Sequence, residues 1–271
     1  FRYMIIDFHT HIFPDHVAAN AIAKLIESSK NHSKLSVYTD GTYNGLLKSM
    51  ESASIDYSVV MPIATDPKHG AGILKWIQSY INLSNKIIFF SSIHPEDTEF
   101  KERINAAHNI GIKGLKFHPD FQGFAVDDER VFKLYEEAIK NDLILFFHAG
   151  FDPSFVGSDK AIPKRFSNFA KKFPEAKIVL AHSGGYRNWA EVYKELSDTQ
   201  VYFDTAFVLD FIFIEKDQDL LKLFHEKKDY FLFGTDSPWK EQKTEVQLIK
   251  ECGLLSSVEI DDLLYKNAKK L

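Results

Sequence analysis

Short apolar or β-branched runs recur along the chain, separated by longer segments with a helical period. The runs are YMIIDFH (3–9), DYSVVMPI (56–63), KIIFFSSI (86–93), IKGLKFH (112–118), LILFFH (143–148), KIVLAH (177–182), VYFDTA (201–206) and YFLFGTD (230–236). Several are nearly continuous in apolar residues instead of alternating, as a parallel strand covered on both faces requires. Between them, DDERVFKLYEEAIKND places Val131, Leu134, Tyr135, Ala138 and Ile139 three and four apart, behind an aspartate suited to an N-cap. Helices are predicted likewise near 15–28, 43–53, 70–83, 97–108, 160–173, 187–196 and 239–250. A last one opens on Ser256 with Glu259 three residues on, a capping-box spacing. The stretch 207–228 predicts two short helices or one bent one, its aromatics at 207, 211, 213 and 224 packing on an outer wall or covering a site.

Eight such units predict an α/β chain folded as a single-domain (β/α)8 TIM barrel, in preference to an open doubly wound sheet. The barrel is expected over residues 4–271, with Met4 read as the start. The length of 271 residues suits that fold, and 45% apolar with 26% charged residues is ordinary globular material. A formal charge of −5 without a long Lys/Arg block argues against nucleic acid or an acidic membrane as partner. No apolar run reaches the length of a membrane span, and no signal-peptide layout opens the chain. The single Cys252 excludes an internal disulfide framework and fits a reducing, cytoplasmic setting.

Charge and composition leave the chemistry to the strand ends. In a barrel the functional groups stand at the C-terminal ends of the strands. There the chain carries His9 and His11, then His94, Lys116 with His118, His148, His182, Asp204 and Asp236. Any one buried histidine satisfies itself with a single hydrogen bond. Their recurrence at one end of the runs, all but the second, has no such explanation. Three imidazoles and a carboxylate suit one divalent metal ion, zinc first, with manganese, iron or cobalt as alternatives. His9, His11, His148 and Asp236 are the expected ligands, with Asp236 also orienting or deprotonating a bound water and His182 moving a proton.

The motifs DFHTH, GLKFHP, FFHAG, LAHSGG and FGTDSPW, in this order, resemble the metal-dependent amidohydrolase superfamily. The similarity is to its amidohydrolase 2 branch, which includes aminocarboxymuconate-semialdehyde decarboxylase and γ-resorcylate decarboxylase. The tail LLYKNAKKL is similar to that branch's closing helix. The resemblance implies metal-binding roles for His9, His11 and His148, an aspartate at 236 that approaches metal and water, and a polarising or proton-moving role for His182. It also implies a homodimer and a single metal, although Lys116 invites comparison with the carboxylated lysine that bridges two metals in binuclear members.

For substrate, Lys116 is expected to pair with a carboxylate or else with Asp204, His118 to touch substrate, and Arg187 to attract an anion. His94 reads as a turn cap, Trp189 and Trp239 as pocket walls or barrel plugs, and His69, His108 and His225 as surface or packing residues. Two reactions use one such site on a small molecule. Hydrolysis of an ester, lactone or amide is placed first, because the chain lacks long insertions; non-oxidative decarboxylation of an unsaturated or aromatic acid is the alternative. A non-catalytic binding barrel is the third reading.

Overall fold

The structure of the chain, a computed structural model, describes residues 3–271, so Phe1 and Arg2 lie outside the described residues. Among these, eight strands run β1 (Ile6–Thr10), β2 (Tyr57–Val60), β3 (Ile87–Phe89), β4 (Gly114–Phe117), β5 (Ile144–Phe147), β6 (Ile178–Leu180), β7 (Tyr202–Asp204) and β8 (Phe231–Leu232). Each falls inside one of the apolar runs. All pairings are parallel, in a three-stranded sheet β1-β2-β3 and a five-stranded sheet β4 through β8.

Two seams join these sheets into one ring. At the β3–β4 seam Ser91 N donates to Gly114 O (2.9 Å) and Lys116 N to Ser91 O (2.8 Å). At the β8–β1 seam Phe8 N donates to Phe233 O (2.8 Å) and Asp236 N to His9 O (2.7 Å), with Thr10 bridging Ser237. The fold is therefore the predicted closed (β/α)8 barrel.

Helices intervene as expected. Those at Ala18–Ser29, Tyr43–Ala53, His69–Tyr80, Phe100–Asn109, Phe132–Lys140, Pro163–Lys172, Trp189–Leu196 and Gln242–Glu251 match the eight periodic segments to within a few residues. Ser256 and Glu259 form the capping box at the helix Ser257–Asp261. Residues 207–228 form two helices, Leu209–Phe213 and Gln218–Glu226. Their aromatics divide: Phe213 and Phe224 meet edge to face in the core (5.9 Å), whereas Phe207 stands 6.0 Å from His182 and Phe211 5.0 Å from Trp189. One short helix, Pro119–Gln122, was not foreseen; proline opens it at N1, where no amide donor is needed, and His118 stands at its N-cap.

Two apolar layers hold the ring. Inside, Phe8 contacts Phe90 (5.9 Å) and Phe146 (6.3 Å), together with Val59, Met61 and Val179. Gly114 makes room for this packing, since a Cβ there would lie 2.4 Å from the Phe90 ring and 2.8 Å from Ile144 O. Outside, Phe117, Tyr135, Phe147 and Phe169 interlock between strands and helices, with Tyr135 4.7 Å from Phe169. Residues 262–269 close the end opposite the strand termini: Leu263 O accepts from Phe233 N (3.1 Å) and Asn267 Nδ2 donates to Phe231 O (2.9 Å).

Candidate functional site

β1 does not keep simple alternation to its end. Its register against β2 slips between Asp7 and Thr10, so Phe8 and His9 both reach the Phe146 ring, at 6.3 and 4.9 Å. The bulge turns His9 from a wall residue into a mouth residue, with His11 beside it.

The ring tautomers follow from the hydrogen bonds. His9 Nδ1 lies 2.6 Å from Asp204 Oδ2, and His11 Nδ1 lies 2.7 Å from the Met61 carbonyl. Both oxygens are acceptors, so each neutral ring spends its one proton there. The Nε2 lone pairs then face each other at 3.1 Å. Asp236 Oδ1 completes the cluster, 3.2 Å from His11 Nε2 and 3.6 Å from His9 Nε2, and this buried oxygen has no hydrogen-bond donor. Three converging acceptors repel one another unless a cation stands among them. The donor set therefore fits a divalent metal of the borderline class.

His148, expected with this trio, falls instead with His118 and Asp152. The His148 and His118 rings stack at 4.0 Å, His118 Nε2 lies 3.2 Å from Asp152 Oδ2, and His148 Nε2 lies 3.9 Å from the same oxygen. His182 links the two groups. Its Nδ1 donates to Ala206 O (3.0 Å), which leaves Nε2 to face His148 Nδ1 (3.3 Å) and Asp236 Oδ2 (4.0 Å). Trp189, buried below, donates from Nε1 to His182 O (3.4 Å).

Burial drives the electrostatics. It holds His9, His118 and His148 well below the ordinary imidazole value, reinforced at His9 by Lys116 and His11 against the opposing pull of Asp236, and it lowers His182 as well. Lys116 is pushed down to about 8 by burial, against Asp236 and Asp204. Burial opposes ionisation of Asp236, but His9, His11 and His182 around it hold its carboxyl well below the usual carboxylate range. Lys116 sits 3.4 Å from His9 Nε2 and 4.3 Å over the Phe146 ring. Among the described residues no carboxylate lies within ion-pair distance of it, so the alternative pairing with Asp204 is not made.

His182 (φ 55°) and Asp236 (φ 63°) both occupy the left-handed region, where non-glycine residues are held only by their surroundings. Gly150 lets the neighbouring loops meet, since a Cβ there would lie 2.4 Å from Tyr186 N and 2.6 Å from Gly185. Arg187 is exposed, its guanidinium over Tyr186 (5.4 Å) and Phe211 (5.7 Å). His94 Nδ1 accepts from Glu96 N (3.1 Å) as a turn cap, and His69, His108 and His225 are exposed.

One residue escaped the sequence reading. Asp152 lies in FDPSFVGSD, whose composition reads as turn chemistry. Asp204 was placed among the strand-end groups, as an aspartate closing an apolar strand, but its pairing with His9 was not expected.

A family model described as Amidohydrolase matches residues 6–271. Among curated proteins, the dihydroorotase of Helicobacter pylori strain P12 is 26% identical over 223 residues, covering 72% of this chain and 66% of the relative, just under two thirds of its length. An uncharacterised TIM-barrel protein from Bordetella bronchiseptica superposes with a TM-score of 0.73 at 17% identity, over 99% of this chain and 98% of the other. A probable 2-pyrone-4,6-dicarboxylic acid hydrolase from Acinetobacter baumannii gives 0.66 at 16%, over 98% of each chain. The 5-carboxyvanillate decarboxylase of Sphingomonas paucimobilis gives 0.69 at 13%, over 99% of this chain and 98% of its own.

Proposed function

The chain belongs to the amidohydrolase family, and from that premise we propose that it is a metal-dependent, non-oxidative decarboxylase of a small unsaturated or aromatic carboxylic acid. The observation that carries this reading is Lys116: a buried ammonium on an apolar ring floor, 3.4 Å from a metal-type histidine and, among the described residues, with Asp204 and Asp236 near enough to act on its charge but no carboxylate within ion-pair distance. That is a place for a substrate carboxylate stripped of water, the condition under which loss of carbon dioxide becomes easier.

His9, His11 and Asp236 would hold one divalent cation, zinc first, while His148 stands beside that set with His118 and Asp152. The bound ion supplies Lewis-acid charge to substrate oxygens. Lys116 orients the anion, and Phe8 and Phe146 keep water from it. As the bond to the carboxyl carbon breaks, its electron pair stays on the ring or alkene carbon. His182 first takes up a proton from water at Nε2 while Nδ1 keeps its bond to Ala206 O, and then passes that Nε2 proton to this carbon, returning to the neutral ring; its lowered affinity for protons favours the transfer. His118 lines the substrate side, and exposed Arg187 draws anions to the rim.

Hydrolysis of a lactone, ester or cyclic amide is the second reading, favoured by ionised Asp236 as an acceptor for a water proton and by the names of the dihydroorotase and dicarboxylic acid hydrolase relatives. It was placed first on the absence of long insertions. A decarboxylase matched over 98% of its own length removes that ground.

The test is a panel of hydroxybenzoates and unsaturated dicarboxylic acids beside lactones and dihydroorotate, with metal-loaded protein. Carbon dioxide release from an acid, absent without metal, is the expected result. Ring opening of a lactone or cyclic amide, with no carbon dioxide from any acid, would overturn the proposal in favour of hydrolysis.

A further inference from the structure

Asp204 ends β7 fully buried, and its two oxygens serve different imidazole-bearing segments. Oδ2 accepts from His9 Nδ1 at 2.6 Å. Oδ1 accepts from His182 N at 2.7 Å and from Ala206 N at 3.0 Å, and Ala206 O in turn accepts from His182 Nδ1 at 3.0 Å. Ser183 Oγ adds a bond to the Asp204 carbonyl at 3.1 Å. The segment so gripped includes His182 and Ser183, both in the left-handed region (φ 55° and 53°), a conformation that persists where surrounding bonds impose it.

We infer that Asp204 is the positioning residue of the site, one carboxylate that fixes the His9 tautomer with its lone pair toward the metal position and also fixes where the His182 ring stands. This rests on the reading that His9, His11 and Asp236 hold a divalent cation. His11 spends its Nδ1 proton on the neutral Met61 carbonyl, whereas His9 spends it on a carboxylate. A carboxylate partner leaves the opposite nitrogen more basic, so His9 is the stronger of the two donors. An amide at position 204 cannot do the same work. Its single oxygen satisfies either His9 or the backbone amides of His182 and Ala206, and its own N–H groups face donors on the other side. His9 then turns or moves its proton to Nε2, and the lone pair is lost.

Two measurements test this. Long-range nitrogen–proton NMR on the wild-type protein is expected to find the His9 ring proton on Nδ1. A proton on Nε2 would overturn the inference, whatever the behaviour of any variant. Zinc affinity, measured by competition with a chromophoric chelator, is expected to weaken about 10–100-fold in Asp204→Asn. Gly114→Ala, which disturbs packing away from the mouth, is expected to keep wild-type affinity. If wild type binds zinc, His11→Ala does not, and folded Asp204→Asn binds as tightly as wild type, the inference falls while the metal reading stands. If wild type itself binds no zinc, both fall.

Discussion

His182 separates holding a metal from using it. Its Nε2 faces His148 and Asp236, but the trio of converging acceptors is complete without it. His182→Ala is therefore expected to keep its metal and lose about 10²–10⁴ in kcat, the usual worth of a positioned proton-transfer group; metal analysis beside kinetics checks both halves. Lys116 makes the opposite case. A fully buried ammonium pushed down to about 8 costs stability while it is charged. Its folded-state value lies below the unfolded one, so the unfolded chain binds more protons between about pH 8 and 10.5, and stability rises with pH across that window. In Lys116→Met this rise should vanish and the melting temperature at neutral pH should equal or exceed wild type, while KM for an acid substrate increases. At this scale the residue types at the strand ends were legible and their partnerships were not. His9 meets Asp204 across 195 positions of sequence, His148 meets a loop aspartate, and one bulge in β1 decides which way His9 points.

Strands and helices were the most legible part of the chain, because burial on both faces leaves a continuous apolar run and burial on one leaves a helical period. The exception, the helix Pro119–Gln122, is a single turn, too short to carry a period. What the runs could not display is how the ring closes, since both seams use bonds beyond regular pairing. At β3–β4 the close approach depends on Gly114. Gly114→Ala drives a methyl into the Phe90 ring and Ile144 O and is expected to destabilise by about 1–3 kcal/mol, read by urea unfolding. At β8–β1 Asp7 is buried where it accepts from Thr235 Oγ1 (2.6 Å), Thr235 N (2.9 Å) and Gln242 Nε2 (2.7 Å). Burial nonetheless pushes its carboxyl up to about 7. The folded chain then keeps a proton that the unfolded chain releases between about pH 4 and 7, so this contribution is fully present below pH 4 and is lost as pH rises through 7. Subtracting the melting-temperature profile of Asp7→Asn from that of wild type should reveal that decline; a flat difference would refute it.

Across the whole molecule, one architecture explains both the apolar interior and the gathering of polar groups. A parallel ring needs branched and aromatic residues through its middle, which leaves the strand termini as the place where imidazoles and carboxylates can stand together, partly desolvated and close enough to share one ion. Among the described residues no helix is long and apolar enough to cross a membrane. The claim on which the chemistry depends is that His9, His11 and Asp236 hold a divalent cation. Metal content and affinity of protein purified without chelator, compared for wild type, Asp236→Ala and Lys116→Ala, test it most directly. The account predicts about one tightly bound metal per chain in wild type and in Lys116→Ala, and its loss in Asp236→Ala. Wild type with no metal and no affinity on titration would contradict it, as would two metals of which one disappears with Lys116.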